Sequence, residues 1–141
     1  MKVEQLTVFV ENRSGRGAII TRLLADAGIN LISFNIADSS DYGLIRIIAD
    51  DPEKAKGILK EHNISVKSTS IIVVELPHEI GGLADVLEIF SKENINIDYL
   101  YAFVGNKPNR AIVGVKVADT DESIEKLKEH NLKLLSLNDI I

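Results

Sequence analysis

The 141-residue chain has no cysteine and no tryptophan, and only three prolines. Without cysteine it can form no disulfide framework, no thiolate metal site and no cysteine nucleophile. Basic residues are in deficit, 16 Lys and Arg against 21 Asp and Glu for a net charge of −5, which argues against a sequence-independent grip on nucleic-acid backbones. No apolar run approaches the ~20 residues of a membrane span. The start, Met1-Lys2-Val3-Glu4-Gln5, lacks the apolar centre of a signal peptide. A cytoplasmic protein with neither a membrane nor a nucleic-acid partner is expected. What remains is a globular balance, 45% hydrophobic and 26% charged, enough for one domain or two small ones.

The chain repeats itself. Ala27-Gly28-Ile29-Asn30-Leu31-Ile32 recurs as Glu93-Asn94-Ile95-Asn96-Ile97-Asp98, and Lys60-Glu61-His62-Asn63 recurs unchanged as Lys128-Glu129-His130-Asn131. The second pair is spaced two residues wider than the first. Gly105-Asn106-Lys107-Pro108-Asn109-Arg110, set against the shorter Ser39-Ser40-Asp41-Tyr42-Gly43, is where a turn absorbs that insertion. A tandem duplication is expected, with domains at 1–69 and 70–141.

Each copy reads alike by periodicity. Leu6, Val8 and Val10 alternate with polar or exposed positions as a strand. Ser14 is placed to cap a helix carrying Ile20, Leu23, Leu24 and Ala27, and Gly28 stops it. Strands follow at 31–37 and 44–49. Asp51-Pro52-Glu53 then opens a helix striped by Ala55, Ile58 and Leu59, and 64–68 is the last strand. The second copy gives strands at 71–76, 97–104, 111–117 and 132–137. Its helices are 82–93, on Leu83, Val86, Leu87 and Phe90, and 120–130, with Asp119 and Glu122 at capping-box spacing. The fold class is therefore α+β: two ferredoxin-like βαββαβ units, each an antiparallel sheet with both helices on one face and an open apolar face opposite.

Catalytic machinery is not visible, and no catalytic or metal-binding residue is assigned. There is no His-x-x-x-His pair and no Gly-x-Ser-x-Gly elbow, and Gly15-Arg16-Gly17 is too short for a phosphate-cradling Walker loop. His62 and His130 sit at helix C-termini, where they offset the dipole. Asp50-Asp51 and Asp119-Thr120-Asp121 are accounted for by capping. No cofactor is implied.

What stands out is the turn from first strand to first helix, Glu11-Asn12-Arg13-Ser14-Gly15-Arg16-Gly17 in one copy and Pro77-His78-Glu79-Ile80-Gly81-Gly82-Leu83 in the other. Glycine at the mouth of a helix lets a ligand approach outward-pointing N–H groups, a ready anion site. Glu-Asn-Arg-Ser-Gly-Arg followed by an apolar helix and Ala-Gly-Ile-Asn-Leu resembles the ACT domain, the small-molecule sensor of amino-acid metabolism. Gly-Gly-Leu-Ala with Glu-Asn-Ile-Asn-Ile resembles it again. The resemblance covers the whole chain. It implies units that pair side by side and hold a free amino acid between the turn of one and the second strand of its neighbour. The positions so implied are Asn12, Arg13, Ser14, Gly15 and Arg16 with Asn96, Ile97 and Asp98, and His78, Glu79, Ile80, Gly81 and Gly82 with Asn30, Leu31 and Ile32. The carboxylate would meet turn amides, helped by Asn12 or Arg13. The ammonium would meet carbonyls at the second strand, assisted by Asp98. Two departures stand out: Ser14 and Ile80 replace a frequent proline, and Gly17 replaces a usual leucine, leaving a void that neighbours or a ligand must fill.

The resemblance thus implies a non-catalytic regulatory protein that senses an amino acid and modulates a partner metabolic enzyme. The alternative is an assembly subunit of such an enzyme with a vestigial pocket. A homodimer is expected from the open sheet faces. Tyr99, Tyr101 and Phe103 line one strand face as RNA-stacking modules do, but the negative charge favours packing against protein.

Overall fold

The computed structural model describes residues 1–11, 14–38, 42–103 and 108–141. The Ser39-Ser40-Asp41 turn and Gly105-Asn106-Lys107 lie outside the described residues. The chain forms two compact units, Glu4–Thr69 and Met1–Val3 with Ser70–Ile141.

The N-terminal unit contains β1 (Lys2–Glu11), α1 (Arg16–Asp26), β2 (Leu31–Asp38), β3 (Tyr42–Ala49), α2 (Pro52–Glu61) and the first residues of β4 (Ser65–Pro77). β1 and β2 flank β3, both antiparallel to it, with Leu6 opposite Ile47 and Phe34 opposite Ile47 on the other side. Leu6, Val8, Val10, Ile45 and Ile47 share one core with Ile20 and Leu24 of α1 and Ala55 and Leu59 of α2, so both helices cover one face. The opposite face mixes polar and apolar side chains. Gln5, Thr7 and Ser33 are buried there, Gln5 Nε2 donates to Thr7 Oγ1 at 3.1 Å, and Arg46 donates to Asn35 at 3.2 Å. The face expected from alternation to be apolar is mixed in this unit, with Gln5, Thr7, Asn35 and Arg46 interleaved with Phe9, Leu44 and Ile48.

The C-terminal unit takes the rest of β4, then α3 (Gly82–Lys92), β5 (Ile97–Ala102), β6 (Arg110–Val117), α4 (Thr120–Leu127), a 3-10 turn (Lys128–His130), β7 (Lys133–Leu135) and α5 (Leu137–Ile140). Here β5 pairs β6, β6 pairs β4 and β4 pairs β7, all antiparallel. Ile72, Val74, Val113, Val115 and Val117 meet Val86 and Phe90 of α3 and Ile124 and Leu127 of α4 in its core.

Three sequence expectations change. The strands expected at 64–68 and 71–76 are one, β4, because Ser68-Thr69-Ser70 contains nothing that breaks an extended chain. The strand expected at 132–137 shrinks to three residues. Ser136 and Asp139 close a capping box, with Asp139 accepting from Ser136 N at 2.8 Å and Ser136 Oγ at 3.0 Å, and start α5. Leu83, expected in the stripe of α3, is 40% exposed, so glycine at the equivalent Gly17 opens no core void. A Cβ at Gly17 would stand 3.5 Å from Ile36 Cδ1, an ordinary contact.

On the far face of the C-terminal sheet, Tyr99, Tyr101 and Phe103 stack in a ladder with centroids 6.4 and 5.7 Å apart. Phe103 lies over Gly114, where a Cβ would come within 2.8 Å of the ring and 3.0 Å of Ile71 Cδ1. Glycine here is a packing requirement. Gly114→Ala should cost about 1–3 kcal/mol by overpacking, and Phe103→Leu in the same chain should recover part of it, as measured by urea denaturation.

Candidate functional site

Helices in each unit begin in two different ways. α2 and α4 are capped by aspartate: Asp51 accepts from Lys54 N at 3.1 Å and Asp119 from Glu122 N at 3.0 Å. α1 and α3 begin at Gly15 (φ 88°) and Gly81 (φ 86°), both left-handed, and neither has a side-chain cap. Ser14, expected as the cap, is exposed and lies one residue too early. Glycine takes the position because the turn requires a positive φ that serine adopts poorly. The amides of the first turns of α1 and α3 are thus left without a capping side chain.

The two turns differ in tightness. In the second, His78 N donates to Asn109 O at 2.9 Å, Glu79 N to Pro77 O at 3.0 Å and Gly82 N to Glu79 O at 3.1 Å. A Cβ on Gly82 would stand 2.3 Å from Pro77 O, so only glycine fits. The side chains of His78, Glu79 and Ile80 are exposed. At the position equivalent to Gly82 the first turn carries Arg16, which is half-buried. Its Nε is buried with no hydrogen-bond partner among the described residues. Asn12 and Arg13 lie outside the described residues.

The second-strand positions are placed differently. Asn30 is exposed, but its N–H donates to Asp50 Oδ1 at 3.1 Å and its carbonyl accepts from Asp50 N at 3.0 Å. Asp50 therefore binds the start of β2, and capping falls to Asp51 alone. Leu31 packs on the core, Ile32 is half-buried, and a bulge falls between Leu31 and Ser33. In the other copy Asn96 is exposed, Ile97 packs on the core, and Asp98 pairs with Lys116 at 3.6 Å.

Within either unit these two groups do not come together. Val10 pairs with Gly43, which also faces Asp38, so the β1–α1 turn sits at the far end of β2; Leu31 pairs with Ala49 at the near end. Seven residues of strand, ~23 Å, separate them. The same holds for Pro77 opposite Arg110 and Ile97 opposite Val117.

Titratable groups away from the turns are structural. Glu75, whose side chain is 3% exposed, accepts from Lys133 at 2.8 Å and Arg110 at 3.0 Å. The Lys133 ammonium first, and the Arg110 guanidinium with it, hold its carboxyl below the ordinary value against the opposing effect of burial. Glu75 is the one charged residue in the otherwise apolar run 71–76. His130 Nε2 meets Glu93 at 2.6 Å and His62 Nδ1 meets Ile58 O at 2.9 Å, both at helix ends. Among the described residues no group of three His, Asp or Glu side chains could hold a metal, and no helix is long and apolar enough to cross a membrane.

The model of a family described as "ACT domain pair" matches residues 1–141. No curated protein matches the sequence. Among solved structures, protein BT0572 from Bacteroides thetaiotaomicron is 38% identical with a TM-score of 0.92, over 99% of this chain and 96% of that one. The regulatory subunit of aspartate kinase from Thermus thermophilus is 13% identical with a TM-score of 0.61, over 91% and 92%. That from Thermus flavus is 13% identical with a TM-score of 0.60, over 89% and 90%. The last two are alike in fold.

Two outcomes follow from the local geometry. Because the Glu75 carboxyl is depressed, its stabilisation is complete above its ordinary value of 4.5 and is lost as pH falls below it. Glu75→Gln should cost about 2–4 kcal/mol at neutral pH and should weaken the acid dependence of denaturation midpoints. Gly82→Ala, which meets backbone, should destabilise by at least about 2 kcal/mol, whereas Gly17→Ala should lie within about 1 kcal/mol of the parent in the same assay.

Proposed function

The chain belongs to the ACT domain pair family, and on that footing we propose that it is a non-catalytic regulatory protein that binds a free amino acid and modulates a partner enzyme of amino-acid metabolism. The observation that carries this is the pair of helices left without caps at Gly15 and Gly81, in a chain that caps α2 and α4 with aspartate. First-turn amides that no side chain caps suit a carboxylate, although at the second turn the Gly82 N–H is already given to Glu79 O. Arg16, with an unpartnered buried Nε among the described residues, supports the first turn as the stronger anion site.

The ACT-like domains are 1–69 and 70–141. Because turn and second strand lie at opposite ends of each sheet, the ligand is held by two units: the turn of one (Asn12 to Arg16, or His78 to Gly82) and the strand start of another (Asn96 to Asp98, or Asn30 to Ile32). A zwitterion satisfies both, with its carboxylate on amides and its ammonium on carbonyls; Asp98 contributes only by sharing with Lys116. Such a ligand stabilises whichever arrangement brings the two halves together. The protein acts in the cytoplasm as a homodimer, with regulation passed to the enzyme by association.

Thermal-shift scans of the full chain with each common amino acid test this. One of them should raise Tm by roughly 5–11 °C at a hundredfold excess over Kd, and Arg16→Ala should weaken binding about tenfold. A flat response to all of them sinks the proposal.

A further inference from the structure

At the mouth of the first helix the two copies exchange a large side chain for a small one. Position 17, two residues past the left-handed Gly15, is glycine, and Ile36 of β2 stands over it: a Cβ at Gly17 would lie 3.5 Å from Ile36 Cδ1. In the second copy the residue two past Gly81 is Leu83. Ile36 pairs with Ile45 in the register in which Ala102 pairs with Val113, so Ala102 holds the matching strand position. Gly17 with Ile36 has become Leu83 with Ala102.

Core packing does not demand this exchange, because Ile36 is 63% exposed and Leu83 40%. Phe34, on the same face of β2 as Ile36, is exposed as well. Charge differs at the same place. The first turn of α1 contains Arg16 and no acid, whereas that of α3 contains Asp85, at the position of Ile19. The first copy thus sets an uncovered aliphatic surface beside a helix start that favours an anion, and the second sets a carboxylate there.

We propose that the first turn is the one that takes the ligand, and that Ile36 makes it selective for amino acids with an aliphatic side chain. This rests on the amino-acid-binding reading above and adds to it the turn and the side chain. A carboxylate on the α1 amides and Arg16 holds the ligand's Cα beside Gly17, whose missing side chain leaves room for the ligand's own to lie on Ile36. Covering that surface favours leucine, isoleucine or valine; glycine covers too little of it, and the charged ends of aspartate and lysine gain nothing from it. At the second turn the bulk belongs to the helix itself, as Leu83, and Asp85 opposes a carboxylate.

Isothermal titration of the full chain with L-leucine, L-isoleucine and L-valine, against glycine, L-aspartate and L-lysine, tests this. An aliphatic ligand should bind at least about tenfold more tightly than the last three, at one per chain. Ile36→Ser, at an exposed position, should weaken leucine binding about tenfold, while Ile36→Leu should keep the preference. Leu83→Ser should leave leucine binding as in the parent. Equal binding of leucine and aspartate, two ligands per chain, or a leucine affinity unmoved by Ile36→Ser overturns this inference while amino-acid binding stands. A flat response to every common amino acid overturns both.

Discussion

A helix starts with amides that none of its own carbonyls can reach, and the helices of this protein meet that constraint in two ways. α2, α4 and α5 satisfy it internally, through Asp51, Asp119 and Ser136. α1 and α3 start from left-handed glycines that have no side chain to offer. A left-handed glycine gives up conformational entropy on folding without contributing a cap. Its presence at both equivalent positions, in a chain well able to use aspartate, leaves the helix mouth accessible to an outside acceptor.

The duplication works as an internal control, since both copies share one scaffold and differ in what fills it. Position 82 is glycine because Pro77 O would meet any Cβ, yet its equivalent is Arg16; the second turn is folded more tightly. The sheet face away from the helices in the first copy mixes Gln5, Thr7 and Arg46 with Phe9, Leu44 and Ile48. In the second it holds buried Ile71 and Val73, an aromatic ladder and the Glu75 ion triad. A carboxylate so deep in a sheet is tolerable because two cations neutralise it; either alone would leave the desolvation less fully offset.

Much of the fold was legible in the residues. Core positions at strand and helix periods, glycine or asparagine at helix ends and aspartate before α2 and α4 are local signals, and the structure carries Gly28, Asn94 and Asp51 in those roles. Longer-range facts were not legible. Leu83 has the spacing of a core residue but lies in the first turn of α3 and remains exposed. Ser14 is a good cap by type, yet the backbone needed a positive φ one residue later. Asp50 looked like a second capping acid beside Asp51. Its bond to Asn30 spans twenty residues, and no sequence window reveals it. The turn glycines could be read as a pair, but not the distance between each turn and the second strand of its own unit.

That distance constrains what an amino acid can do to the protein. A ligand that bridges a turn and a strand start ~23 Å apart along one sheet cannot be satisfied by a single unit, so its binding free energy enters the equilibrium between units. Linkage then makes the effect reciprocal: whatever strengthens the association of units strengthens ligand affinity by the same factor. On the proposed function, a partner enzyme that prefers one association state would be coupled to amino-acid concentration without any contact with the ligand.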